Sequence, residues 1–126
     1  MIVRPAAWTP AHEALIALAL ATADIGDIRF QTDHGAVLFE VLDDGGDLAA
    51  AYVLRVDRQV GRTVGVVVAA GGSLPGVDLT ESIMPHIETQ FYGCDAIRLH
   101  TERVGLVKKL GRQGFKTAEI ILEKEL

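Results

Sequence analysis

With 126 residues, 49% of them hydrophobic, the chain is long enough to bury one core and too short for two ordinary domains, so a single domain over residues 1–126 is expected. Its longest apolar stretch, residues 15–23 between Glu13 and Asp24, falls short of the roughly 18 to 20 residues that span a bilayer, which leaves no membrane among the expected partners. A net charge of −5 argues against nucleic acid as the main partner, although residues 98–126 carry +3 against −8 for the remainder.

The first residues, Met1-Ile2-Val3-Arg4-Pro5, are not a cationic segment leading into an apolar run, so no secretory signal is expected. The lone cysteine, Cys94, has no partner for a disulfide or a metal, which fits a reducing compartment. A soluble, cytoplasmic protein is the expectation.

In chain order, residues 1–4 form a short apolar segment. Thr9 followed by Pro10 then supplies a helix cap and a proline at the first helical position. Residues 11–23 are nearly all helix formers, so densely apolar that most of the helix circumference should be covered by a sheet. Gly26 and Asp27 should end that helix, and residues 28–30 should begin an irregular connection. Residues 36–42 and 48–58, on either side of the turn cluster at residues 43–47, read as an antiparallel hairpin. Residues 63–69 are β-branched and apolar on both faces, as in a central strand. Gly65 within them predicts a bulge or a close backbone approach.

Beyond the glycine-bearing loop at residues 70–76, Asp78 and Glu81 start a helix reaching about Tyr92 and placing Leu79, Ile83, Ile87 and Phe91 on one face. Pro85 predicts a kink in it or a later start. A strand at residues 96–100, a helix at 104–113 closed by Gly114 and a final strand at 115–126 complete the chain. The whole reads as a mixed α/β (α+β) fold, a sheet with helices on both faces.

Two residues stand out as candidate catalytic groups. His100 closes a strand and has an imidazole suited to a general base, although a half-buried strand end explains it as well. Glu40 interrupts an apolar strand and is either a base acting through water or an outward-facing carboxylate. His12, His34 and His86 lack ligand spacing, so no metal is expected. Arg98, Arg103, Lys108, Lys109, Arg112 and Lys116 form a basic cluster able to face a phosphorylated ligand or simply solvent.

The strand at 96–100, the basic helix ending in Gly114-Phe115 and the closing segment resemble the C-terminal half of the GNAT acetyltransferase superfamily, and the opening Ile2-Val3-Arg4-Pro5-Ala6 extends the resemblance over nearly the whole chain. The resemblance implies a mostly antiparallel central sheet, acetyl-CoA as cofactor and an amine, on a small molecule or a protein, as acceptor. It further implies that the central strand parts from the strand at Ile97, that Val67, Val68 and Ala69 meet the pantetheine arm, and that Gly71, Gly72 and Ser73 begin the pyrophosphate loop. The family's loop pattern of an arginine or glutamine with spaced glycines is absent from residues 70–78. Asp78 adds negative charge there, and Leu110 stands where the family's tyrosine acid would be.

Two readings follow. One is acetyl-CoA-dependent acyl transfer to an amine at a degenerate site, with water supplying the proton. The other draws on similarity to the small GNAT-like proteins of tailed bacteriophages. It is a non-catalytic structural or virion-associated protein, in the host cytoplasm or the virion, that meets phage structural proteins or further copies of itself.

Overall fold

In a computed structural model describing residues 1–20, 24–101 and 103–126, five strands form one sheet in the order β1-β2-β3-β4-β5. They are β1 (Ile2–Pro5), β2 (Val37–Leu42), β3 (Leu48–Gln59), β4 (Arg62–Gly72) and β5 (Ala96–Leu99), with α1 (Pro10–Ala19) and α2 (Ile25–Asp33) between β1 and β2. The helix α3 (Leu79–Gln90) precedes β5, and α4 (Val104–Gly111) follows it. Neighbouring strands are antiparallel except β4 and β5, which are parallel. This is the mixed, mostly antiparallel sheet expected.

The strand period of two distributes β3 between two cores. Ala51 and Val53 join Leu38 and Ala69 beneath Ile16 of α1 and Ile28 of α2, whereas Ala50, Tyr52 and Leu54 meet Ile83, Met84, Ile87 and Phe91 of α3 and Leu110 of α4. Tyr52 donates its hydroxyl to Gln90 Oε1 at 2.7 Å, and burial pushes its phenol up to about 12.

The cap at Thr9 forms with a histidine in the role usually taken by glutamate. The Thr9 amide donates to His12 Nδ1 at 3.1 Å, and Thr9 Oγ1 accepts from the His12 amide at 3.4 Å. Leu18 is 88% exposed, so the circumference of α1 is less covered than its composition suggested. Gly26 and Asp27, expected to end this helix, instead lie in the first turn of α2: α1 already closes at Ala19, with Leu20 extended as its C-cap, and residues 21–23 lie outside the described residues.

The irregular connection expected at residues 28–30 is instead the interior of α2. Asp24 caps that helix by accepting from the Gly26 amide at 2.6 Å, Ile28 is buried against α1, and Trp8 donates its indole N–H to Thr32 Oγ1 at 2.8 Å. Helix α3 begins directly after Asp78 and continues through Pro85, so the later start is not observed. Pro85 lies on the exposed side, as does Glu81, whose carbonyl is the one that a proline here cannot pair.

Close approach, the second alternative for Gly65, is what the fold uses: a Cβ there would sit 2.5 Å from the Phe91 ring. The bulge lies elsewhere. Val53 pairs with Ala69 and Leu54 with Val67, which leaves Val68 unmatched.

The closing strand predicted at residues 115–126 does not form. Gly114, at φ +93°, ends α4, the Phe115 amide donates to Leu110 O at 3.0 Å, and the Phe115 side chain packs on the α3–α4 core. Residues 116–126 are exposed and belong to no element. Strand composition alone makes no strand, because the ladder needs an edge to pair with.

Candidate functional site

The pairing of β4 with β5 covers Val64–Val67 against Ala96–Leu99 and then stops. β4 itself continues to Gly72, still paired with β3, while the chain leaves β5 at His100 and turns toward α4. From the Val68 bulge onward, one edge of β4 therefore has no strand beside it. The parting expected at Ile97 is not seen, since Ile97 pairs with Gly65 and β5 is paired along its whole length; the opening exists because β5 is the shorter strand, and the bulge adds twist just where it ends.

The residues expected along this opening are gathered on one strand and its continuation. Val67 packs toward the α3–α4 core, and Val68 and Ala69 pack toward α1. Gly71 and Gly72 pair with Ala51 and Ala50, and the exposed Ser73 donates its amide to Ala49 O at 3.1 Å. Their glycine identity has a packing origin. A Cβ on Gly71 would lie 2.1 Å from Leu15 O of α1, and one on Gly72, at φ +138°, 2.4 Å from Ala49 O.

His100 is exposed just past the end of β5, at the mouth of the opening. Glu40 is elsewhere. In register, Arg4, Glu40, Ala51 and Gly71 form one row across β1 to β4, and β2 is three strand spacings, about 14 Å, from β5. The two catalytic candidates are not brought together.

Glu40 is neither outward-facing nor unpartnered. Its Oε2 accepts from Arg4 Nε at 2.7 Å and its Oε1 from His12 Nε2 at 2.9 Å, with only 13% of the side chain exposed. The tautomer follows: His12 Nε2 carries the proton, because Nδ1 accepts from the Thr9 amide. The hydrogen bond from Arg4, and after it that from His12, holds the Glu40 carboxyl below its usual range.

At the start of α3, Asp78 Oδ1 accepts from the Glu81 amide at 3.3 Å and Oδ2 pairs with Lys109 Nζ at 3.3 Å. The Glu81 amide first, then Lys109, keep this carboxyl below its ordinary value. Sequence reasoning found Asp78 but missed Lys109 as its partner, since the two lie on different helices with no local spacing to connect them. It also missed the bulge, because residues 66–68 are three valines in succession with nothing to mark the odd one.

Leu110, at the position of the expected acid, is 4% exposed and has no proton to give. No cluster of metal-ligating side chains occurs among the described residues, and none of their helices is long and apolar enough to cross a membrane. A cleft of about 310 Å³ lined by Val37, Phe39, Leu54, Val56 and Phe91 lies away from Gly72, toward the other end of β2 and β3.

No family model matches the sequence, and no curated protein matches it. Solved structures do resemble it in fold. A transcriptional regulator from Bacillus halodurans has a TM-score of 0.73 at 12% identity, with 99% of each chain covered. A GNAT family acetyltransferase from Staphylococcus aureus reaches 0.65 at 10% identity, covering 99% of this chain and 98% of its own. An aminoglycoside 6'-N-acetyltransferase from Acinetobacter haemolyticus reaches 0.66 at 11% identity, over 100% of this chain and 98% of its own. With its parallel β4–β5 pair set in an otherwise antiparallel sheet, the chain has the fold of the GNAT acetyltransferases.

Proposed function

We propose that this protein binds acetyl-CoA along the free edge of β4 and transfers the acetyl group to an amine. The observation that carries the reading is that edge, where β4 runs on from Val68 to Gly72 after its last pair with β5. Backbone groups of Val67, Val68 and Ala69 would hold the amides of the pantetheine arm, with Gly71, Gly72 and Ser73 at the phosphate end. When bound, acetyl-CoA supplies an activated thioester.

The remaining chemistry falls to the chain's own groups. His100, exposed at the mouth, accepts the proton of the attacking amine. With Leu110 buried and apolar, the departing thiolate takes its proton from water. Glu40 contributes by fixing α1 against β1 and β2 through His12 and Arg4.

Calorimetry with acetyl-CoA tests the reading. Saturable binding with a rise of several degrees in Tm is expected, and Ser73→Glu should weaken binding at least tenfold without lowering the Tm of the free protein. His100→Ala should leave binding intact and reduce turnover by about a hundredfold or more. Absence of heat and of a Tm shift at millimolar acetyl-CoA would overturn the proposal. Gly72 is a poor probe, because its φ and its contact with Ala49 make any side chain there a folding defect.

A second reading, a non-catalytic protein of this fold working through contacts such as those of a tailed-phage assembly, draws on two observations. Leu110 removes the acid, and the Asp78–Lys109 pair puts a carboxylate where a phosphate would sit. The same titration separates the two readings.

A further inference from the structure

We infer that the amine accepted at this site carries a carboxylate, which the Arg98 guanidinium binds on the face of the sheet opposite α3. The inference rests on the acetyl-transfer reading above and names the class of its acceptor.

Strand alternation puts Arg98 on that face. Its neighbours Ile97 and Leu99 pack on the α3–α4 core, so Arg98 points to the other side. There the register sets Arg55 of β3, Val66 of β4 and Arg98 of β5 in one row, with Asp57 and Val64 in the next. Val64 and Val66 are buried, which gives the two arginines an apolar floor. They differ in what they already hold. Arg55 donates from Nε to Asp57 Oδ1 at 2.7 Å, from Nη2 to Asp57 Oδ2 at 3.0 Å and from Nη1 to Gln31 Oε1 at 2.6 Å, so its guanidinium is occupied. Arg98 is half-buried and has no ion pair among the described residues. Hydrogen bonding from Arg55 is the main cause that holds the Asp57 carboxyl below its ordinary value, and the charge of Arg98 adds to it from further away.

An arginine in this position, with its N–H donors unclaimed by a carboxylate, suits a planar anion that takes two parallel hydrogen bonds. Asp57 lowers the positive potential at Arg98, which favours one negative charge over two, and therefore a carboxylate over a phosphate. The position also fits the reaction. Acetyl-CoA seated along β4 keeps its phosphates toward the start of α3, so the acceptor enters from the opposite face, where Arg98 is. His100, the base, follows Arg98 by two residues, at most about 7 Å of chain. An amino acid spans that interval, with its carboxylate on Arg98 and its amine between the His100 imidazole and the thioester beside Val68. The C–N bond then forms as the C–S bond breaks, the amine proton passes to His100, and the thiolate takes one from water. Arg98 orients the acceptor and makes no bond in the transfer.

Transfer to L-alanine and to L-alaninamide tests the inference. A kcat/KM about tenfold or more higher for the acid is expected. The amine of the amide is the weaker base and more often neutral, so ionisation of the amine cannot produce that preference. In Arg98→Gln the preference should fall to within about threefold, through KM rather than kcat, and Arg98→Lys should restore part of it. Equal use of acid and amide, a preference that Arg98→Gln retains, or faster transfer to phosphoethanolamine than to alanine would overturn the inference. Magnetic resonance of the isotope-labelled protein without cofactor separates this outcome from failure of the transfer reading. Millimolar N-acetyl-L-alanine should shift the amides of residues 64–67 and 97–100, whereas N-acetyl-L-alaninamide should not. Such shifts in a protein that binds no acetyl-CoA would uphold the carboxylate site and overturn the transfer. Their absence, or equal shifts with the amide, would overturn the carboxylate site whether or not acetyl-CoA binds.

Discussion

Gly65 and Gly71 are both glycines of β4, yet they are held by different neighbours. A methyl group on Gly65 would press on the Phe91 ring at 2.5 Å, and a side chain can yield by shifting within the core. At Gly71 the obstacle is the Leu15 carbonyl at 2.1 Å, part of the α1 backbone, which yields only if the whole helix lifts. Gly65→Ala is therefore expected to cost about 1–3 kcal/mol and Gly71→Ala about 3 kcal/mol or more. Urea unfolding at constant m measures both. A Gly71→Ala protein as stable as the natural one would mean that α1 does not rest on β4. The same contact explains why a glycine that looks like part of a phosphate loop is also needed by the fold.

At the scale of elements, Glu40 ties three of them together: Arg4 on β1, its own strand β2, and His12 on α1. Because its folded pKa lies below the usual 4.5, the carboxylate stabilises the fold at pH values above 4.5, and that contribution is lost as pH falls through the folded value. Glu40→Gln should thus flatten the acid side of a Tm-against-pH curve between about pH 5 and 3 and cost about 2 kcal/mol at neutral pH. Parallel curves for the two proteins would remove Glu40 from this role. Strands β2, β3 and β4, and the Ile83–Ile87–Phe91 face of α3, were legible in the sequence because alternation, turn glycines and a four-residue period are local signals. Helix α2 was not. Asp24 is followed two residues on by Gly26, a poor helix former, and the residue that anchors the helix, Ile28, finds its partner Ile16 only once α1 has folded back. The segment 115–126 was misread for the converse reason, since its composition is that of a strand but none of the described strands pairs with it. Along the candidate site, the strand at residues 67–69 was legible from its valines, but Gly71 and Gly72, read as the start of a loop, are the last paired residues of β4. The burial of Glu40 beneath α1 and the reach of Lys109 to Asp78 were not legible, since both depend on which elements lie side by side.

For the molecule as a whole, the charge distribution bears on the acetyl-CoA binding proposed above. The chain carries −5 overall, and an anionic cofactor approaches it favourably only from the side of residues 98–126, where the balance is +3. On that side Lys109 is already engaged by Asp78, whose carboxylate also takes the Glu81 amide at the start of α3. One negative group therefore occupies both a cation and a helix N-terminus that would otherwise favour a phosphate. Asp78→Ser separates these effects, because serine caps the helix as well as aspartate does while removing the charge and freeing Lys109. Removing a unit negative charge a few ångströms from a phosphate relieves a repulsion that solvent and salt at this exposed carboxylate largely screen. Asp78→Ser should accordingly tighten acetyl-CoA binding by about three- to tenfold, with the gain shrinking as salt is raised from about 50 to 500 mM. Lys109→Ala should act in the opposite direction once Asp78 is serine. Unchanged affinity in the serine variant would place the phosphates away from the start of α3 and leave the Asp78–Lys109 pair with the single task of joining α3 to α4.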